Sequence, residues 1–294
     1  MLRTFIKSFL IILLLNSSAF ALTVASYNIK NFGKKGTYTD HLILVKIIKK
    51  MQADLIAVQE IVDTALFKKV IESYFPNYKV SLTNCGGRGR QRLGFIYKTS
   101  ILKLHSFSEV TDISPHSDCF SGVRPAAVGH FSRRDTDEKF TAFSLHLKSG
   151  GSVRNTKIRA EQFKLIIKYL AKLRSRGIQN ILLMGDLNTT HYLLNNKSSE
   201  NYQDFLRLLD SYDYGSQISC TAYWWGAKND GLQYLSQLDH IILSGPLWNK
   251  YYLRSIESMA HCQKLHCEPG VSPSKLGSSF TNVSDHCPVV AKLF

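Results

Sequence analysis

Acidic side chains are scarce in this 294-residue sequence, which contains 22 Asp and Glu residues against 37 Lys and Arg residues. The formal net charge of +15 favours polyanionic partners, such as nucleic acid or acidic lipid, because each neutralised phosphate releases condensed counterions. A basic surface also keeps an exported protein soluble. The net charge alone therefore does not decide whether the partner is nucleic acid or acidic lipid.

The sequence also lacks low-complexity tracts, linkers rich in proline or glycine, and internal repeats. These absences argue against a repeat or linker-divided protein and predict a single domain over residues 22–294. After the first 21 residues, no run is apolar enough to fill the roughly 20 positions that a bilayer-spanning helix needs. We therefore expect a mature chain without a transmembrane segment, and we expect it to be a monomer.

The first 21 residues have the layout of a cleavable signal peptide. Arg3 and Lys7 precede an apolar run over residues 9–15, and small residues follow at Ala19 and Ala21. The run is too short for a membrane anchor. The sequence thus predicts a signal peptide over residues 1–21 and a secreted or periplasmic protein.

Six cysteines in an exported chain indicate disulfide bonds, and fifteen pairings remain open at this point. The cluster formed by His261, Cys262, His266, Cys267 and Cys287 could alternatively be a zinc site. Its spacing lacks the usual paired ligands, so structural disulfides are the favoured interpretation.

Hydrophobic periodicity predicts many short strands and few helices. Helices are expected at residues 40–50 and 155–173, the second with a buried stripe of Ile158, Phe163, Ile166, Ile167 and Leu170. This content favours a mixed α/β architecture of packed sheets with helices outside. The predicted strands cover residues 23–29, 55–58, 78–82, 93–97, 126–131, 140–145, 181–184, 238–243 and 289–293.

Polar residues follow several of these strands at the point where each strand ends. They are Asn28, Glu60, His146, Asp186 and Asn188. A carboxylate at the mouth of a buried strand, such as Glu60, needs compensation by a bound cation or by a nearby Arg or Lys. Carboxylate and amide oxygens suit Mg²⁺, Mn²⁺ or Ca²⁺ better than zinc.

Two further segments place an acid beside a histidine directly before an apolar strand. Asp239 precedes His240, and Asp285 precedes His286. A carboxylate beside an imidazole fixes its tautomer and raises its basicity, as hydrolytic sites require. His240 is expected on the opposite face of its strand from Asp239, because side chains alternate.

Taken in order, these segments resemble the endonuclease/exonuclease/phosphatase superfamily, whose members are deoxyribonuclease-I-like. The resemblance covers essentially the whole mature chain, and a set of motifs in the family's order is far more specific than any one of them. The motifs are Ser-Tyr-Asn-Ile at 26–29, Leu-Ile-Ala-Val-Gln-Glu at 55–60, Ser-Leu-His-Leu-Lys at 144–148, Gly-Asp-Leu-Asn at 185–188, and Leu-Asp-His at 238–240 followed by Ser-Asp-His at 284–286.

The resemblance implies a four-layer α/β/β/α sandwich in which two packed mixed β-sheets are flanked by helices. It further implies that Glu60 is the principal ligand of a Mg²⁺ ion, with Asn28 and Asp285 close to the ion. Asp186 and Asn188 would position the attacking water and the scissile phosphate. His286, oriented by Asp239, and His146 would move protons and brace the phosphate oxygens.

The same resemblance assigns substrate contacts to basic residues. The loop at residues 86–92 carries Arg90, and Arg124 and Lys148 flank other strands. Two positions depart from the deoxyribonuclease pattern: Val62 stands where an Arg is expected, and Gln91 stands where a carboxylate should orient the first histidine. Minor-groove reading and the partner of His146 are therefore left open.

Export, the motifs, the basic loop and the charge predict a secreted, metal-dependent phosphodiesterase that hydrolyses nucleic acid by in-line attack of an activated water, with DNA as the first substrate and RNA as a second. The alternative is a sphingomyelinase-like phospholipid phosphodiesterase or an inositol-phosphate phosphatase that uses the same site. A non-enzymatic binding subunit fits less well, since no catalytic motif is lost. Trp224 and Trp225 could stack on bases, pack in a loop or insert into lipid.

Overall fold

The computed structural model describes residues 21–115, 119, 122–189, 197–226, 229–244, 246–251 and 253–293, with the backbone alone at 197–200, 209, 212, 215 and 216. Apart from Ala21, the predicted signal peptide lies outside the described residues. None of the helices in the described ranges is long and apolar enough to cross a bilayer.

Two six-stranded sheets form the centre of the molecule. The first sheet has the order β13-β14-β1-β2-β4-β3, and the second has the order β5-β6-β7-β8-β12-β9. The strands of the first sheet are β1 (Leu22–Phe32), β2 (Leu55–Ile61), β3 (Tyr78–Leu82), β4 (Arg92–Lys98), β13 (Leu253–Ser258) and β14 (Val289–Leu293). The strands of the second are β5 (Leu102–Val110), β6 (Ala126–Arg133), β7 (Lys139–His146), β8 (Ile181–Asp186), β9 (Ser211–Asp213) and β12 (Asp239–Ser244).

Helices cover the outer faces of the sheets, and a separate hairpin pairs β10 (Ala222–Trp224) with β11 (Tyr234–Ser236). Both large sheets are mixed: β1 runs parallel to β2, and β7 runs parallel to β8, while the other pairs are antiparallel. The helices are α1 (His41–Met51), α2 (Thr64–Tyr74), α3 (Val153–Arg174), α4 (Lys197–Leu209), α5 (Pro246–Lys250), α6 (Ala260–Lys264), α7 (Pro273–Leu276) and α8 (Ser278–Asn282).

The alternation of side chains along each strand divides the core into layers. Leu55 and Ala57 of β2 pack between the two sheets, whereas Ile56 and Val58 pack beneath α1 and α2. In β8, Leu182 faces the space between the sheets and Leu183 faces α3. The fold is therefore the four-layer α/β/β/α sandwich that the family resemblance implies.

A buried polar link joins the two sheets close to the ends of β2 and β7. The Gln59 side-chain nitrogen donates to Ser144 Oγ over 3.1 Å, and Ser144 Oγ donates to the Val58 carbonyl over 3.0 Å. These bonds fix the two sheets against each other. Gln59 lies one residue before Glu60, and Ser144 lies two residues before His146. The relative position of the Glu60 and His146 side chains is thus set by the scaffold rather than by a loop.

The buried face of α3 differs from the predicted stripe. Phe163, Ile166 and Leu170 are buried as expected, but Arg159 and Gln162 are buried with them, while Ile158 and Ile167 are only partly buried. The prediction was wrong at these positions because its stripe contained apolar residues only, with the lysines and arginines on the rest of the helix. Arg159 and Gln162 lie on the same helical face as Phe163 and Ile166, and they bind the loop that follows β7.

The six cysteines form three disulfide bonds, which confirms the structural interpretation. Cys262 pairs with Cys287, so the thiolates needed for a zinc site with His261 are not available. This disulfide and the Cys220–Cys267 bond lie in a small core beside the β10–β11 hairpin. Because Cys287 directly follows His286, the Cys262–Cys287 bond also holds that histidine in place. The remaining pair is Cys85–Cys119.

Candidate active site

The polar residues predicted at strand ends meet at one edge of the two sheets. The Asn28 side-chain nitrogen lies 3.3 Å from Glu60 Oε1 and 3.1 Å from Asp186 Oδ2. Asp186 also pairs in register with His146 on β7 and with Asp239 on β12. Residues that are 158 positions apart in the chain therefore share one site.

The backbone at this edge adopts conformations that L-residues rarely occupy. Glu60 has φ 64°, Asn31 has φ 54° and Asn188 has φ 53°. Irregular pairing on both sides of β2 accommodates Glu60, since its register shifts against β1 and against β4 at this point. Left-handed non-glycine residues cost about 1–3 kcal/mol each and concentrate at functional sites.

A glycine permits the close approach of β7 and β8 beside the site. A Cβ added at Gly185, which has φ 144°, would lie 2.0 Å from the Leu145 carbonyl oxygen. Only glycine tolerates such an approach. Gly185 thereby places Asp186 next to His146, and the Asn188 backbone N–H then donates to Asp186 Oδ1 over 3.0 Å.

Asp186 is 2 % exposed, and burial raises the pKa of its carboxyl to about 7. The nearby imidazole of His286 opposes this rise, while the charges of Asp239 and Glu60 add to it. A pKa near neutrality suits a group that must accept a proton at physiological pH. In the described part of the chain, only histidines lie within 4.0 Å of Asp186 or Glu60 as cationic partners.

This donor set fits a hard divalent cation. Two carboxylates converge on the side-chain nitrogen of Asn28, and neither has a Lys or Arg ion-pair partner among the described residues. Carboxylate oxygens are the ligands that Mg²⁺ prefers. Glu60 is the more accessible of the two acids, and the Asn31 backbone N–H orients its second oxygen over 3.0 Å. Of the alternatives left open for Glu60, a bound cation therefore fits better than a basic neighbour.

The two histidines have opposite electrostatic surroundings. Although burial alone would lower the pKa of His286, the carboxylates of Asp239 and Asp186 raise it well above its ordinary value. The His286 Nδ1 atom lies 2.8 Å from Asp239 Oδ2, and its Nε2 lies 3.7 Å from Asp186 Oδ2. His286 is therefore cationic at neutral pH, with its ring fixed by Asp239.

His146 is neutral, because burial and the neighbouring Arg124 guanidinium lower its pKa well below the ordinary value. Its Nε2 atom lies 3.1 Å from Arg124 Nη2 and 3.3 Å from Asp186 Oδ2. Its buried Nδ1 has no hydrogen-bond partner among the described residues. The carboxylate that orients this histidine in the resembled family is thus not replaced by another acid.

Gln91, which stands in place of that carboxylate, binds Arg124 instead. Its side-chain oxygen accepts a hydrogen bond from Arg124 Nε over 3.1 Å, and its nitrogen donates to Asn31 Oδ1 over 3.0 Å. Asn31 in turn binds Glu60 through its backbone N–H. A hydrogen-bonded chain therefore connects Glu60 to the guanidinium of Arg124.

The remaining predicted residues lie at the rim. Asp285 forms an ion pair with Lys30 at 3.1 Å. Arg124 and Lys148 line a cavity next to the site, whereas Arg90 is exposed and is not among the residues that line it. Arg88, two residues earlier, lines the cavity instead. The sequence located the basic loop, but the side chain that faces the cavity depends on the loop backbone, in which Arg90 has φ 55°.

A second pocket, of about 250 Å³, adjoins His286 and has largely apolar walls. Trp224, Tyr223 and Leu238 contribute to it, beside Asn188 and His286. Trp224 and Trp225 are 47 % and 73 % exposed, so neither is a core residue. His240, in contrast, is fully buried on the other face of β12, with Nδ1 2.8 Å from Asp213 Oδ2, as the strand alternation predicts.

The comparisons identify the family to which this fold belongs. The endonuclease/exonuclease/phosphatase family model matches residues 25–286, so the chain belongs to this family. Its members are hydrolases that act on phosphoester bonds in nucleic acids or other phosphate substrates, and they generally use divalent metal ions.

Solved structures with the same fold have low sequence identity. A mannosyl-6-phosphatase of Bacteroides thetaiotaomicron is 18% identical, with a TM-score of 0.60 and coverage of 93% of this chain and 99% of that chain. The human nocturnin catalytic domain with bound sulfate is 15% identical, with a TM-score of 0.66 and coverage of 93% and 94%. D. rerio TDP2 with a single-strand DNA product is 13% identical, with a TM-score of 0.66 and coverage of 93% and 99%. No protein with a curated description matches the sequence.

Proposed function

We propose that the protein is an exported, Mg²⁺-dependent phosphodiesterase that hydrolyses nucleic acid, with DNA as the main substrate and RNA as a second one. The observation that carries this proposal is the convergence of Glu60 and Asp186 on Asn28, next to one cationic and one neutral histidine. The excess of basic residues and the arginines beside the site favour a polyanionic substrate. The DNA product bound to the structurally similar TDP2 agrees with this choice.

When bound near Glu60 and Asn28, Mg²⁺, or Mn²⁺ or Ca²⁺ in its place, supplies a positive charge that polarises the phosphoryl oxygens. We assign the proton transfer to Asp186, which accepts a proton from the attacking water because its pKa is close to neutral. Asn188, which is fixed to Asp186 and to the Leu147 carbonyl, orients that water and the phosphate.

His286 is the cationic hydrogen-bond donor of this mechanism. Its imidazolium, held by Asp239, stabilises the negative charge that gathers on the phosphate oxygens and on the leaving oxygen. His146 accepts a hydrogen bond from Arg124 and so directs that guanidinium towards the same oxygens. Asp285 remains a proposed neighbour of the ion, with Lys30 setting its position.

The cellular location and the organisation of the chain belong to the same proposal. We infer cleavage after residue 21 and secretion or transfer to a periplasm, leaving residues 22–294 as one catalytic domain that acts as a monomer. The three disulfide bonds are compatible with an oxidising compartment.

One observation favours a second candidate, a phospholipid phosphodiesterase. Trp224 and Trp225 are exposed beside the apolar pocket that adjoins His286, and exposed aromatic side chains can enter a lipid surface. The same pocket could equally hold a nucleobase by stacking on Trp224. In both candidate functions the bond that is cleaved is a phosphodiester, and the substrates differ in the groups attached to it.

A parallel assay separates the candidates. The purified mature chain is incubated with plasmid DNA, RNA and sphingomyelin vesicles at one Mg²⁺ concentration, and products are quantified. We expect turnover of DNA and slower turnover of RNA. Turnover of sphingomyelin without any cleavage of DNA or RNA would overturn the nuclease proposal in favour of the lipid one. If none of the three substrates is turned over, the proposed activity is wrong, although the chain still belongs to the family.

A further inference from the structure

A cavity of about 440 Å³ adjoins the candidate active site and carries an unusual charge. Four of the residues that line it are cations: Arg88, Arg124, Lys148 and Arg154. None of its lining residues is an Asp or Glu. Within the described ranges, none of the four cations has a carboxylate within 4.0 Å. We call this space the cationic cavity.

The walls of the cationic cavity are fixed by bonds that the catalytic residues do not supply. The Cys85–Cys119 disulfide joins the two segments that carry Arg88 and Arg124, and the Arg88 backbone N–H donates to the Gly122 carbonyl. Gly87, with φ 64°, lets these segments touch, since an added Cβ would lie 2.7 Å from the Gly122 oxygen. The cavity is therefore a built feature rather than a gap between mobile loops.

The opposite wall is held by the two polar residues that α3 buries. Arg159 Nη1 donates to the carbonyls of Lys148 and Gly150, each over 2.7 Å, and Gln162 Oε1 accepts from the Lys148 backbone N–H over 2.9 Å. These bonds position Lys148 beside Arg154, at the start of α3. Burial and the charges of Arg124, Arg159 and Arg154 lower the pKa of Lys148. An anion in the cavity would relieve this repulsion.

The cationic cavity is continuous with the reacting centre through Arg124. Arg124 Nη2 lies 3.1 Å from His146 Nε2, and that atom lies 3.3 Å from Asp186 Oδ2. An anion held by Arg88, Lys148 and Arg154 would therefore share Arg124 with a phosphate bound beside Asp186. A substrate that fills both places must carry two phosphates in succession.

We propose that the cationic cavity binds the phosphate next to the scissile one, so that the preferred substrate is a polynucleotide segment with at least two phosphates. This inference rests on the proposed function. It adds a requirement that a single phosphodiester, such as that of sphingomyelin, cannot meet. Guanidinium groups bind phosphate through two hydrogen bonds, which gives such a site both affinity and orientation.

Two short oligonucleotides test the proposal. The dinucleoside monophosphate TpT carries one phosphate, and its 5′-phosphorylated trinucleotide counterpart, pTpTpT, carries three. For the wild-type protein with Mg²⁺, we expect kcat/KM to be at least about 10-fold higher for the longer substrate, because a charge-assisted contact typically exceeds one power of ten in affinity. The double variant Arg88→Ala/Arg154→Ala should lose most of this preference.

A matched control removes two charges from the far end of the same helix. The Lys172→Ala/Arg176→Ala variant changes the net charge equally at two exposed positions: Lys172 lies about 27 Å along α3 from Arg154, and Arg176 follows the end of the helix. It should keep the preference. The cavity variant should also lower the slope of log K against log salt for a single-stranded oligonucleotide by about 1.4, or about 0.7 for each lost contact, whereas the control should not. Since Arg88 and Arg154 are exposed, both variants should keep the wild-type melting temperature.

The outcomes separate this inference from the function on which it rests. A wild-type protein that cleaves TpT and pTpTpT with equal kcat/KM contradicts the cavity assignment and leaves the nuclease proposal intact. The same holds if the cavity variant keeps the wild-type preference and salt slope. A protein that cleaves neither oligonucleotide nor plasmid DNA contradicts the proposed function, and the inference with it.

Discussion

Replacing His286 by Ala is expected to lower kcat on plasmid DNA by about 10²–10⁴-fold, with a much smaller change in KM. The physical reason is the position of His286 between two acids: Asp239 fixes its ring, and Asp239 and Asp186 keep it cationic. Alanine removes the imidazolium that we propose donates to the phosphate oxygens. Initial rates under saturating substrate measure the effect.

Two further variants show whether the effect comes from the imidazolium. Asp239→Asn keeps the size of its side chain but removes the charge that raises the pKa of His286, so kcat should fall while the NMR-measured pKa of His286 decreases. His105→Ala, at an exposed histidine remote from the site, should match the wild type. Full activity of His286→Ala, in a protein that melts at the wild-type temperature, would refute the role assigned to this residue.

The second large effect is expected for Asp186→Asn, which should lower kcat by about 10³-fold or more and yet stabilise the metal-free protein. Asparagine preserves the volume of the side chain but cannot accept a proton from water. It also removes a buried negative charge that has no Lys or Arg partner among the described residues. Inactivity combined with higher stability is typical of a residue retained for function.

The raised pKa of Asp186 determines how the stability difference between Asp186→Asn and the wild type changes with pH. The pKa of Asp186 rises from 3.8 to about 7 in the folded protein, so the folded state holds a proton that the unfolded state has released. Its contribution to stability is complete below about pH 4 and is lost as the pH rises through 7. In chelator, Asp186→Asn should therefore be more stable than the wild type by about 1–3 kcal/mol at pH 8 and nearly equal at pH 4.

Thermal or urea denaturation at the two pH values measures the difference. A variant that is less stable than the wild type at pH 8 would show that Asp186 is a structural residue whose charge is already compensated. A variant with wild-type kcat would exclude it as the proton acceptor.

Most of the architecture follows from the periodicity of the sequence. The central strands are rich in β-branched and apolar residues, so β1, β2, β8 and β14 were predicted close to their observed bounds. The layering follows as well, since these strands are apolar on both faces and must be covered on each. The order of the strands could not be predicted, because it depends on pairings between distant segments that no local pattern encodes.

The elements missing from the prediction lie at edges or on the surface. The β5 strand has many exposed or half-buried residues at the edge of its sheet, and β13 has a similar pattern at the edge of the other. Weak burial gives weak periodicity, so these segments carried little signal.

The candidate site was better predicted than the surface around it. Acids, amides and histidines at the ends of apolar strands are visible in the sequence, and strand pairing alone brings Asp186 beside His146 and Asp239. The residues that sequence reasoning missed act through backbone contacts. Arg159 and Gln162 could have been noticed as polar residues on the apolar stripe of α3, whereas the roles of Asn31 and Arg88 depend on loop conformation.

The central claim is that Glu60, with Asn28 beside it, holds one divalent cation at which a phosphodiester is cleaved. The most direct measurement is the rate of plasmid hydrolysis as Mg²⁺ is titrated into chelator-treated wild type and Glu60→Gln. We expect no turnover of the wild type without the metal, full recovery on its return, and a Mg²⁺ requirement at least about 10-fold higher for Glu60→Gln. Undiminished hydrolysis in excess chelator, or identical Mg²⁺ titrations of the two proteins, would contradict the account.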